Sequence, residues 1–375
     1  MNRMRVGLLF GGRSVEHDVS LMSARSVIQH LDAARYEVVP VGVTREGIWI
    51  TAADSGPLLE PGGMERALAA GGATRATLCG DPSVKGLLPL KGGTPIALDI
   101  VFPLIHGSGG EDGTLQGLLE MADLPYVGSG VAGSALGMDK GAMKRAFVAE
   151  KLAMTDHIEV TRARLESAPH DIAREVASKL GYPCFTKPCN GGSSVGVSKV
   201  KSADTLIAAL RAAAAYDRRV LIEKAVDGQE VECAVLGNDA PKASIVGEIV
   251  PCNEFYDYNA KYLDDRSELV IPARITARQA ETVQQMSRAA FACLDLAGLA
   301  RVDFLVRRSD GAVLINEVNT LPGFTSISMY PRLWQAGGVS YPALLDELIN
   351  LGMQRYRERK SLTTRFAPGE RVVHA

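Results

Sequence analysis

Near the C-terminal end of this 375-residue chain, two apolar runs carry side chains that can do chemistry: Arg301-Val302-Asp303-Phe304 and Asn316-Glu317-Val318-Asn319. Ser309-Asp310-Gly311 between them is a hairpin turn signal, so the two runs read as paired strands. Side chains alternate along a strand, which puts Glu317 and Asn319 on one face and Arg301 on the face of Asp303. Asp303, Glu317 and Asn319 are hard oxygen donors. They suit Mg²⁺, which takes a few carboxylates together with phosphate oxygens and water. A surface salt-bridge ladder uses the same residue types. It explains poorly why acids stand within runs such as AVLIN and DFLV, where an unpaired charge is costly.

A second constellation runs from Lys187 to Val197 (KPCNGGSSVGV), between two expected strands. A glycine-rich hairpin can turn backbone N–H groups towards phosphate oxygens. Lys187 adds a point charge. An ordinary hairpin turn remains the plainer alternative for this segment taken alone. Gly128 to Gly133 (GSGVAG) matches GxGxxG, but it sits mid-chain, where a dinucleotide fold would place that motif after its first strand. It reads as a flexible turn between domains. No GxxxxGK[ST] occurs, which excludes a P-loop kinase.

The elements that must position these residues fall into three groups. Met4 to Phe10 is a strand ending at Gly11-Gly12, followed by a helix that Ser14 can cap. Strands follow at 36–43 and 98–105, the latter almost continuously apolar, as suits a parallel strand buried on both faces. Residues 53–95 are rich in Gly and Pro and read as an elaborated loop with one short helix near Met64 to Ala70. Beyond residue 129 the pattern changes. A helix is expected over 138–152 and another over 170–181. Strands at 183–188 and 195–200, a helix at 203–215 and a strand at 219–224 complete a small α+β unit. Runs at 229–237 and 243–250, a tyrosine-rich loop at 252–270, a helix at 277–297, the hairpin 300–318 and a helix at 341–358 form the third. The last residues, 361–375, lack periodicity and read as a frayed tail.

Bulk properties narrow the class. Hydrophobic residues make up 46% and charged residues 22%, a globular composition, and a net charge of −2 gives no surface for nucleic acid. No run of eighteen apolar residues occurs, so no membrane span is expected, and the opening MNRMRVGLLFGG is too short in its apolar part for a signal peptide. Six Cys without CxxC spacing argue for reduced thiols in the cytoplasm.

Taken in order, a lysine and Gly-rich hairpin followed by RxDF and NExN resemble the ATP-grasp superfamily, in which two α+β subdomains clamp ATP. Further strings narrow the resemblance to the D-alanine:D-alanine ligases: Gly11 to Ser20 (GGRSVEHDVS), His106 to Gly113 (HGSGGEDG), Met138-Asp139-Lys140, Tyr256 to Tyr262 (YDYNAKY) and Asn319 to Ser326 (NTLPGFTS). The resemblance runs from about residue 4 to 358. It implies an N-terminal doubly wound α/β domain (1–128) followed by a two-subdomain ATP-grasp fold (129–223 and 224–360), with a tail at 361–375.

The resemblance also implies roles. Lys140 and Lys187 hold ATP phosphates, with Ser193 and Ser194 in the loop that covers them. Glu223 and backbone groups of Lys224 to Val226 meet the adenine, and Glu230 the ribose. Asp303, Glu317 and Asn319 bind two Mg²⁺, for which Mn²⁺ can substitute. Glu16 pairs with the ammonium of the first D-alanine; without the motif, an acid serving the helix dipole would be the preferred reading of it. Ser193 and Tyr262 bond to Glu16 and latch two loops over the site. Arg301 and the N–H of Gly323 stabilise a tetrahedral oxyanion. Ser328 and Lys261 face the carboxylate of the second D-alanine. His106 lies near the substrates, and Glu111 supports the same loop. Tyr262 favours an amine over a hydroxyl nucleophile. The implied activity is ATP-dependent synthesis of D-alanyl-D-alanine for peptidoglycan, by a cytoplasmic homodimer that engages neither membrane nor nucleic acid. A D-alanine:D-serine ligase and a non-catalytic ATP-binding paralogue are the alternatives.

Overall fold

The structure, a computed structural model, describes residues 3–250, 268–325 and 327–363. In chain order, the first part contains β1 (Met4–Gly11), α1 (His17–His30), β2 (Tyr36–Val43), β3 (Trp49–Thr51), α2 (Gly56–Leu59), α3 (Gly63–Ala69), β4 (Thr74–Leu78), β5 (Gly86–Pro89), β6 (Ile96–Ala97), β7 (Ile100–Pro103) and α4 (Thr114–Met121). The strands form one sheet in the order β6-β5-β4-β3-β2-β1-β7. β1 pairs in parallel with β2 and β7. Its residues are buried on both sides: Val6, Leu8 and Phe10 meet Ala24 and Val27 of α1, while Leu9 joins Leu115 and Leu119 of α4. Two-sided burial is why the strand sequence is continuously apolar.

Residues 53–95 are not the loop expected from their composition. The helix near Met64 is there as α3, but β4 and β5 extend the sheet in antiparallel fashion. Their short alternating runs are masked in the sequence by Gly and Pro at the turns. Ser14 also differs from expectation. Its Oγ accepts from the N–H of Glu16, and Glu16 rather than Ser14 is the residue that precedes the first helical turn.

The second part contains α5 (Val131–Met138), α6 (Lys140–Ala149), β8 (His157–Thr161), α7 (Arg162–Ser167), α8 (Pro169–Lys179), β9 (Cys184–Pro188), β10 (Ser198–Val200), α9 (Ala203–Ala214) and β11 (Arg219–Lys224), with an antiparallel sheet in the order β10-β9-β11-β8. The single helix expected over 138–152 is two. Asp139 has an extended backbone and caps α6 by accepting from the N–H of Ala142. Gly130 ends in an extended conformation as α5 begins, so the GSGVAG string opens a packed helix rather than a flexible turn. A Cβ at Gly133 would stand 2.4 Å from the carbonyl of Asp295.

The third part contains β12 (Gly228–Gly237), β13 (Lys242–Val250), β14 (Glu268–Val270), α10 (Ala277–Cys293), β15 (Gly298–Arg307), β16 (Val313–Asn319), α11 (Met329–Ala336) and α12 (Tyr341–Ser361). Its antiparallel sheet runs β14-β13-β12-β15-β16. Val231, Cys233, Val302, Phe304 and Ile315 pack against Val283 and Phe291 of α10. The opposite face therefore carries Glu230, Glu232, Arg301, Asp303, Glu317 and Asn319, because side chains alternate. α12 returns to the first sheet, where Leu344, Leu348 and Ile349 share a core with Val6 and Phe102.

Candidate active site

A cleft of about 750 Å³ lies where the three parts meet. Its walls include Glu16, His106, Lys140, Lys187, Ser193, Glu223, Glu230, Arg301, Glu317, Asn319, Gly323 and Ser328. Parallel neighbours end on the same side of a sheet, which is why the segments after β1 and β7 deliver Glu16 and His106 to one place.

Glu16 is buried, and its carboxylate accepts a short hydrogen bond from the Ser193 hydroxyl. Its side chain makes no capping bond to α1. A Cβ at Gly107 would come within 2.6 Å of the carboxylate and one at Gly192 within 2.8 Å. Both glycines leave room for this acid. Ser193 and Ser194 have positive φ, +49 and +58, in the covering loop.

The 106–113 loop is tied to the segment after β16. His106 donates through Nδ1 to the carbonyl of Leu321 at 3.0 Å, and its Nε2 lies 3.0 Å from the Ser23 hydroxyl. Since a carbonyl only accepts, the proton is on Nδ1 and Ser23 donates to Nε2. Burial pushes this imidazole down, against the pull of Glu16, so it is neutral. Glu111 accepts from the N–H groups of Gly107 (2.7 Å) and Leu321 (3.0 Å). Burial and the Glu16 charge raise its carboxyl to about 8 despite those two bonds. The Phe324 peptide is held at both ends, its N–H by Ser23 (3.3 Å) and its carbonyl by the Tyr341 hydroxyl (2.5 Å). Gly323, one residue before, is thus set in a fixed backbone. Ser328 accepts from the N–H of Thr325 at 3.0 Å.

At the other end of the cleft, Lys140 lies 3.3 Å from Glu317 and donates to the carbonyl of Gly191 at 2.8 Å. The backbone N–H of Lys140 donates to the carbonyl of Cys189, which is how the buried Cys189 serves the site while burial pushes its thiol up to about 12. Lys187 lies 2.5 Å from Glu223, whose second oxygen lies 2.6 Å from Lys144. Burial opposes the charge on Lys187, but Glu223 and Glu317 outweigh it and hold the ammonium above its usual range. Glu223 is depressed for the matching reason: burial is outweighed by Lys187 and Lys144.

Arg301 forks onto Asp303, with Nε to Oδ1 at 2.8 Å and Nη2 to Oδ2 at 2.7 Å, and its Nε is also 3.0 Å from buried Glu232. Asn319 donates to Asp303 at 3.0 Å, which leaves its amide oxygen for a cation. Asp303 faces Glu317 across the β15–β16 ladder. Among the described residues no group of three His, Cys, Asp or Glu can hold a metal ion. Two facing acids and an amide oxygen fit Mg²⁺ that arrives with phosphate oxygens, rather than a metal held by protein alone. Lys261 and Tyr262 lie outside the described residues.

Models of two families match the chain: "D-ala D-ala ligase N-terminus" over residues 5–129 and "D-ala D-ala ligase C-terminus" over 147–350. The chain belongs to the D-alanine–D-alanine ligase family. A D-alanine–D-alanine ligase of Geobacillus kaustophilus is 46% identical over 98% of this chain and 100% of its own. One of Ruminiclostridium cellulolyticum is 45% identical over 96% and 98%. Among solved structures, the ligase of Coxiella burnetii superposes with a TM-score of 0.85 at 34% identity, covering 96% of this chain and 97% of that one. VanG D-Ala:D-Ser ligase of Enterococcus faecalis gives 0.84 at 35%, covering 94% and 100%. Against this family background, two charged residues stand out that the sequence reading passed over, Lys144 and Glu232. Lys144 follows Lys140 by one helical turn, and Glu232 follows Glu230 by the strand period; both signals were present but carried no motif.

Proposed function

We propose that the protein joins two D-alanine molecules at the expense of ATP, releasing ADP and phosphate. The observation that carries this reading is the Glu16 carboxylate. It sits in a glycine cradle at one end of a cleft whose other end gathers Lys140, Lys187, Glu317 and Asn319. An anion for a substrate ammonium thus lies beside cations for phosphate. In this reading Glu223, with Lys224 to Val226, takes the adenine, and Glu230 the ribose. Asp303, Glu317 and Asn319 hold two Mg²⁺, which neutralise charge as the γ-phosphoryl group moves.

The first D-alanine, with its ammonium on Glu16, is oriented so that its carboxylate oxygen attacks the γ-phosphorus and ADP leaves. The second D-alanine, its carboxylate at Ser328 and Lys261, attacks the acyl carbon with its unprotonated amine. The C–N bond forms, the tetrahedral oxyanion rests on Arg301 and the Gly323 N–H, and phosphate departs with the C–O bond. Ser193 and Tyr262, together with Glu16, close the covering loops and exclude water, which would otherwise hydrolyse the acyl phosphate. His106 is neutral and held on two sides, so it serves as a fixed dipole beside the substrates.

Domain limits of 1–128, 129–223 and 224–360, with a tail from 361, fit this division of labour. The family resemblance supports a cytoplasmic homodimer that meets through its N-terminal unit; gel filtration checks the oligomer. Phosphate release with ATP, Mg²⁺ and D-alanine, beside an L-alanine control, tests the activity. Release that requires D-alanine, with one dipeptide per phosphate, is expected. The likeness to VanG D-Ala:D-Ser ligase favours D-serine as the second reading of the acceptor. Preference for D-serine in direct competition would replace D-alanine as second substrate.

A further inference from the structure

We propose that Lys144 is a positioning residue for the nucleotide: from behind the cleft it neutralises Glu223, which leaves Lys187 a positive charge to offer to phosphate. The inference rests on the reading of Lys187 as a phosphate ligand and extends it to a residue outside the cleft walls.

Lys144 stands on α6, one turn after Lys140. Its side chain is 1% exposed and does not line the cleft, whereas Glu223 and Lys187 do. Its ammonium meets one oxygen of Glu223 at 2.6 Å while Lys187 meets the other at 2.5 Å. A lysine this deep costs desolvation free energy that an apolar residue of similar volume would not. A second cation on an acid that already has one is therefore a feature to explain. With Lys144 in place, two ammoniums face one carboxylate, and the group carries one surplus positive charge. Without it, Lys187 and Glu223 would form a neutral buried pair, and phosphate would have to compete with Glu223 for the Lys187 ammonium.

The neighbours support this count. His157 is the cross-strand partner of Glu223, and burial and the Lys144 charge push its imidazole down, so it adds no charge at neutral pH. Glu317, the other acid near Lys187, lies 3.3 Å from Lys140 and is assigned to Mg²⁺. The Glu230 charge also holds the Lys187 ammonium up, after Glu223 and Glu317.

The test is ADP binding by titration calorimetry, without turnover, on Lys144→Met, Glu223→Gln and the double variant. Gln keeps an acceptor oxygen for the nucleotide but carries no charge. Lys144→Met should weaken ADP binding by about 10- to 100-fold, the weight of one charge-assisted contact. The double variant restores the surplus charge and should recover most of that loss. Glu223→Gln alone serves as the reference for the double variant, because both carry the same change at the adenine. D-alanine affinity and thermal unfolding identify a variant that fails to fold. Should Lys144→Met not fold, the double variant is compared with Glu223→Gln, where no acid is left for Lys144 to neutralise, and an ADP affinity lower by tenfold or more in the double variant overturns the inference. It is also overturned if Lys144→Met binds ADP normally, or if the double variant is no better than Lys144→Met. Lys187→Ala distinguishes the two levels: if it leaves ADP affinity unchanged, the phosphate reading itself fails.

Discussion

Two buried charge groups face each other across the cleft, built with opposite arithmetic. On the second sheet one acid, Glu223, lies between two cations, Lys144 and Lys187. On the third, one cation, Arg301, lies between two acids, Asp303 and Glu232. Among these contacts the first group sets two cations on one acid and the second two acids on one cation. Buried charge is costly unless paired. In the proposed reading the first group meets phosphate and the second the cation that accompanies it.

The comparison can be broken most severely at the acids that face the cation. Glu317→Ala should lower phosphate release by at least roughly 1000-fold, because Lewis-acid stabilisation of the moving phosphoryl group contributes several kcal/mol. Normal turnover would remove Glu317 from the site. Next is Glu232→Ala, which takes one partner from a buried ion pair and should cost about 3 kcal/mol of unfolding free energy by urea titration. An unchanged midpoint would mean that the Glu232–Arg301 pair does not stabilise the fold. Away from both groups, Gly192→Ala puts a methyl 2.8 Å from the Glu16 carboxylate. It should raise KM for the first D-alanine by roughly tenfold through overpacking, with KM for ATP unchanged. Equal rises in both would locate Gly192 in nucleotide binding.

The last effect is on pH dependence. The Glu111 carboxyl is raised from 4.5 to about 8, so its contribution to stability is complete below pH 4.5 and is lost as pH rises through about 8. Unfolding temperature should fall across that window, and Glu111→Gln should flatten the fall. Parallel curves for the two proteins would show that Glu111 does not titrate there.

Legibility differed between elements. β1, β2 and the β15–β16 hairpin were read from the chain because their signals are local: a continuous apolar run, or two runs around a Gly turn. β4 and β5 were not, since a strand of four or five residues between Gly-rich turns has too few positions to display a period. The break at Asp139 was missed because Met138 to Leu152 keeps helical composition throughout. The break is set by long-range contacts, the Lys140 N–H to Cys189 and the Asp139 carboxylate to Arg219.

The sequence by itself determined which residue types could act: the acid–amide set Asp303, Glu317 and Asn319, Lys187 with its glycine-rich loop, and the ordered strings that match the ligase family. Those features lie within short stretches of chain, where spacing alone fixes which side chains share a face. Only the tertiary structure decided which charges oppose which. Glu16 reaches Ser193 across 177 positions, and Lys144 reaches Glu223 from a helix in front of the sheet's own strands in sequence. No period in the chain encodes such distances. They follow from packing three sheets around one cleft, and the charge group at each wall exists only once that packing has brought the partners together.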